Sequence, residues 1–158
     1  MADQPQPRYE GDALDLLSSV SAHDLEGMVA QYEREKRQKE EQALSAKDIE
    51  KRNRIALMSQ RRDVTPEGVL RSIDRLRAVA RQGAKEMEIL RFPSELCTDS
   101  GRAINNSEPD WPRTLVGVPA QLYEIWRDHL RPRGFHLKAE IVEFPGGKPG
   151  DVGMFLSW

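Results

Sequence analysis

The sequence predicts an α+β fold: a charged N-terminal helical arm of two to three helices, then a small domain closing with an antiparallel β-hairpin, expected as a three-stranded sheet packed by one or two helices. Three observations carry this reading. Residues 33–42, Glu-Arg-Glu-Lys-Arg-Gln-Lys-Glu-Glu-Gln, hold no apolar side chain and read as solvated helix. Thr65-Pro66-Glu67 is a strong helix start, with threonine as N-cap, proline in the first turn and a carboxylate beside the helix dipole. Phe135, Leu137, Ala139 and Ile141 alternate with His136, Lys138 and Glu140, and Val152, Met154, Leu156 and Trp158 alternate likewise after a Pro-Gly-rich turn.

The chain divides accordingly into a tail (1–10), an arm (11–62) and a domain (63–158). The tail carries two prolines and no large aliphatic side chain, so it is expected to be disordered. Leu14, Leu16, Leu17 and Val20 suggest a short amphipathic helix over 12–20. Ser21-Ala-His-Asp24 has the form of a capping box, and Leu25, Met28, Val29 and Tyr32 follow it at helical spacing. Ser45-Ala-Lys-Asp48 repeats that form, which leaves open whether the arm breaks near Ala43–Ser45 or runs through. Ile55, Leu57 and Met58 spread around the wheel, so the end of the arm is expected to be buried on more than one side.

After Thr65 the residues Val69, Ile73, Leu76, Ala80, Gly83, Met87 and Leu90 keep a heptad rhythm, which fits packing on the preceding helix or a coiled-coil seam between two chains. Gly83 can instead end the helix, leaving 86–92 as a strand with Met87, Ile89 and Arg91 opposite Leu90 and Phe92. The strand is the preferred reading. Residues 93–118 are dense in turn formers and long enough to hide a short helix, placed at 94–105. Pro119 is expected to open a last helix, whose face carries Leu122, Ile125, Trp126 and His129.

Composition narrows the function. The chain is 38% hydrophobic, 32% charged and 6% aromatic, too thin in apolar material to bury itself throughout, so part of it is expected to be exposed helix or disorder. No basic segment followed by an apolar stretch opens the chain, and nothing approaches the roughly 20 apolar residues of a membrane span. A cytoplasmic protein is expected. Residues 1–30 carry six acids and one base (net −5) whereas residues 31–62 carry six acids and ten bases (net +4). That asymmetry suits intramolecular pairing, self-association, or an anionic partner for the middle segment.

For catalysis the candidate nucleophile is Cys97, with His129 or His136 as base and Asp99 or Asp110 to orient it; the Thr-Asp-Ser-Gly setting suggests exposure. No spacing fixes their mutual distance, and a lone cysteine is more often a packing residue. No metal or cofactor is expected, because His23, His129 and His136 follow no ligand spacing. Gly146-Gly-Lys-Pro-Gly150 reads as a turn and lacks the order of a phosphate loop. Asp99, Arg102, Asn105, Asn106, Asp110 and Trp111 form a candidate recognition loop, against which stands a self-satisfied loop with Trp111 in the core. Lys51, Arg52, Arg54, Arg61 and Arg62 are the candidate phosphate-binding residues.

The leading expectation is a non-enzymatic interaction or regulatory module, its arm binding a protein partner or a second copy and its 97–111 loop mediating recognition. The alternatives are a nucleic-acid-binding accessory protein using the basic 47–81 helices, and a small enzyme with Cys97 as nucleophile.

Overall fold

A computed structural model describes Gly11 and residues 15–158. The tail 1–10 and the start of the expected 12–20 helix lie outside the described residues; Leu16–Ser19 form a single 3-10 turn.

Helix α1, Ala22–Met58, begins where the capping box places it. The Asp24 amide donates to Ser21 Oγ at 3.1 Å, and the Ser21 hydroxyl donates to the Asp24 carboxylate at 2.6 Å. Ser45 starts no new helix. At that position the amides that a cap would serve are already held by carbonyls four residues back, and alanine, leucine and lysine neighbours favour continuation. Arg37 Nε donates to the Glu33 carbonyl at 3.3 Å rather than to its carboxylate.

Two compact units divide the chain, Met1–Asp48 and Ile49–Trp158. In the second, α1 contributes Ile55 and Met58 to the core, whereas Leu57 stays 64% exposed. The end of the helix is therefore covered on one side only, contrary to the expectation from the wheel.

Helix α2, Pro66–Arg81, is capped by Thr65, whose Oγ1 accepts from the Gly68 amide at 3.2 Å. It stops before Gly83, which adopts φ +84° and donates its amide to Ala80. The heptad rhythm is thus cut after Ala80, and the last two seam residues belong to strand β1, Glu86–Pro93.

With β2, His136–Ile141, and β3, Asp151–Ser157, this strand makes an antiparallel sheet in the order β1-β3-β2. The closing hairpin is β2-β3, in the alternation read from sequence, except that Phe135 and Trp158 fall just outside the strands and Trp158 is exposed. A bulge between Glu88 and Leu90 alters the expected facing of β1. Met87 pairs with Leu156, Leu90 with Met154 and Phe92 with Val152, so Met87 joins Leu90 and Phe92 on the core face instead of opposing them.

Between the strands, the 93–118 connection contains a 3-10 turn, Ser94–Leu96, helix α3, Arg102–Asn105, and a second 3-10 turn, Trp111–Thr114. Cys97 and Leu115 form an isolated bridge that ties its two ends together. Helix α4, Gly117–Ile125, starts two residues before Pro119 and passes into one π turn, Trp126–Leu130. Trp126 Nε1 donates to the Phe135 carbonyl at 3.0 Å, anchoring that turn to the start of the hairpin. The core gathers Phe92, Leu96, Cys97, Ile104, Leu115, Val152 and Met154.

Gly117 is the tightest joint. A Cβ there would stand 2.1 Å from the Met58 carbonyl oxygen, and φ is +62°. Replacing Gly117 by alanine is expected to destabilise the chain by more than the roughly 1–2 kcal/mol that a left-handed φ costs, read by urea unfolding. Gly83→Ala, at φ +84° but facing open space, is expected to show the φ cost alone.

Candidate functional site

An apolar concavity of about 560 Å³ lies beside α2. Its floor is Met87 and Leu156 of the sheet, with Ile89 placed there by the bulge. One wall is Leu122 and Ile125 of α4 with Leu130 of the π turn. The facing wall is α2, through Val69, Ile73 and Leu76, with Arg71, Ser72 and Arg75 along its lip. Arg62, Asp63, Val64 and Thr65 close one end.

Two observations make this a groove rather than an unfilled core. No residue of α2 is fully buried although the helix is strongly amphipathic, and Val64 and Val69 remain 57% and 43% exposed. The segment leading into α2 is also fastened to α4. Arg61 makes a two-pronged bond to Glu124 of α4, both at 2.6 Å. Gln121 accepts from the Arg62 amide at 3.0 Å and donates to the Arg62 carbonyl at 2.6 Å. Bonding to Arg61 holds the Glu124 carboxyl below the usual range.

Of the residues singled out as phosphate-binding, most have carboxylate or carbonyl partners. Lys51 pairs with Glu95, Arg54 with Asp151 at 3.1 Å, and Arg61 with Glu124, while Arg62 Nη2 reaches the Leu57 carbonyl at 3.4 Å. Arg52 is exposed.

The candidate recognition loop bonds largely to itself. Asp99 accepts from the amides of Gly101 (3.0 Å) and Ala103 (2.7 Å), Arg102 pairs with Glu108 at 2.8 Å, and Asn106 donates to the same carboxylate. Trp111 is half-buried against the core, edge-on to Tyr123 at 5.7 Å. Asn105 is exposed, and Asp110 lines a shallow hollow of about 450 Å³ with Arg61 and Arg113.

Cys97 differs from its expectation. It is 3% exposed, because its bridge to Leu115 turns the thiol inside while Thr98 and Ser100 stay exposed. Burial raises its pKa to about 11, the Asp99 charge adding to the rise and a Thr114 hydrogen bond opposing it. A thiol so protonated is a poor nucleophile. His129 and His136 are both exposed, the former in the π turn and the latter at the start of β2. Both Asp99 oxygens serve backbone amides, not a histidine. Among the described residues no cluster of His, Cys, Asp and Glu could hold a metal ion, and no helix is long and apolar enough to cross a membrane.

The groove was not singled out from sequence. Its one visible signal was Val69, Ile73 and Leu76 beside Arg71 and Arg75, a seam that fits an interhelical contact equally well.

At pH 8 the native thiol is expected to label with iodoacetamide roughly a hundredfold more slowly than the urea-unfolded thiol, from the thiolate fraction alone. Since the folded pKa exceeds the ordinary 9.0, this group contributes full stability below pH 9. That contribution is lost as pH rises toward 11, a loss that Cys97→Ala should remove. The chain matches no protein-family model, no curated protein and no solved structure.

Proposed function

We propose that this is a non-enzymatic protein-interaction or regulatory module whose helical arm engages a protein partner or a second copy of the chain. The observation that carries the reading is an apolar stripe on α1. Leu25, Met28, Val29 and Tyr32 lie at i, i+3, i+4 and i+7 of an unbroken helix and are 51%, 67%, 58% and 66% exposed. Covering side chains of this size is worth about 1.5–3 kcal/mol each, and such a contiguous row marks a contact surface more than scattered single residues do. The buried thiol and its one-cysteine chain suit a reducing compartment such as the cytoplasm.

Recognition through the 97–111 loop is the less favoured part of the reading, because Asp99 is held by the loop's own amides and Arg102 by Glu108. Nucleic acid is less favoured for the same reason: Lys51, Arg54 and Arg61 would have to give up carboxylate partners to meet phosphates.

The test uses the full chain with Leu25, Met28, Val29 and Tyr32 all changed to alanine, which keeps helix propensity. Light scattering gives the mass, and proximity cross-linking in cells identifies neighbours. The expected outcome is loss of assembly or of specific cross-links at unchanged helicity. Undiminished assembly and cross-links in the variant overturn the proposal.

A further inference from the structure

We infer that the groove beside α2 receives the apolar stripe of α1 from a second copy of this chain, the two copies exchanging stripes reciprocally. This rests on the arm-mediated association proposed above and names its receptor surface.

The first argument is apolar fit. The stripe from Leu25 to Tyr32 spans about 10 Å of helix, and the wall of the groove from Thr65 to Leu76 spans about 16 Å, at 1.5 Å per residue. Two turns of helix therefore lie within the length of the wall. The stripe ends at Lys36, the next residue on the same line, so the apolar match is confined to those two turns.

The second argument is charge complementarity. At 100° per residue, Asp24 and Glu35 flank the stripe along one edge, and Glu26 and Glu33 flank it along the other. The groove carries Arg71 and Arg75 on its α2 lip, and Arg62 beside Asp63 at its end. All three arginines are exposed, and Arg71 and Arg75 have no carboxylate partner among the described residues, unlike Arg77 of the same helix, which is paired with Asp74. An apolar row between carboxylates thus meets an apolar trough whose α2 lip carries two guanidinium groups. Reciprocal exchange satisfies both stripes and both grooves in a closed pair, without leaving a surface for further growth.

The test is a charge swap on the full chain. One variant carries Arg71→Glu and Arg75→Glu; the other carries Glu26→Arg and Glu33→Arg. All four sites are exposed, and circular dichroism verifies that each variant folds. In a pair of identical variants every stripe meets a groove of like charge, whereas a mixed pair restores opposite charge at both contacts.

The wild-type chain is expected to be a dimer by light scattering, with each variant alone at least tenfold weaker and an equimolar mixture restoring a one-to-one dimer. A wild-type chain that stays monomeric at high micromolar concentration overturns the inference, whether the groove is then filled from the same chain or by another protein. So does a dimer that survives Arg71→Glu with Arg75→Glu, or a mixture that fails to reassemble. If the dimer survives that pair but is lost in the four-alanine variant, the arm associates through another surface and the proposed function stands. If it survives the four-alanine variant too, self-association through the arm fails with the groove.

Discussion

The C-terminal strand sits in the middle of the sheet, and the rest of the domain is arranged around that placement. β3 is hydrogen-bonded on both edges, and Val152, Met154 and Leu156 on its core face are between 0% and 1% exposed. One partner is local, β2 across the hairpin; the other, β1, comes from beyond α3 and α4. Closing the longer pairing costs loop entropy, which is repaid by Phe92, fully buried across from Val152. Gly153 serves the same packing. A Cβ there would lie 2.7 Å from the Phe155 ring and 2.9 Å from a Val142 methyl group, so the central strand is closely covered on its second face as well.

A second constraint is the contact between the end of α1 and the start of α4. The glycine at 117 lets the Met58 carbonyl approach to a distance no side chain would permit, and the Arg61–Glu124 and Arg62–Gln121 bonds fasten the following turn to the same helix. These contacts fix where α2 begins; the Gly83 turn fixes where it must end to enter β1. Helix α2 is pinned at its two ends while its middle stays off the sheet. The groove follows from this arrangement, and its floor depends on the bulge that turns Met87 inward.

Charge is distributed with a similar economy. Lys51, Arg54 and Arg61 have carboxylate partners within the second unit, so the basic middle segment is less available than its net charge suggests. The acids of the arm lie on either side of an apolar row, and the arginines left over stand on the lip of an apolar trough. Complementarity between these two surfaces, not the total charge, is what makes association of the chain with itself a physical argument.

The sequence by itself determined the elements whose cause is local. The Ser21 and Thr65 caps, the stop at Gly83, the solvated 33–42 helix and the alternation of the closing hairpin all depend on residues within a few positions of one another. It also supplied the α+β class, since the long helical periodicities precede Gly83 and every strand alternation follows it. Only the tertiary structure decided matters that depend on partners far along the chain. The Ser45 motif was overridden by an unbroken helix, and Met87 changed face because β1 had to bulge to keep register with β3. Cys97 went inside because its backbone bridges to Leu115, and the basic cluster was divided among Glu95, Glu124 and Asp151. The groove belongs to this second class, since it is a gap between surfaces and no single segment encodes it.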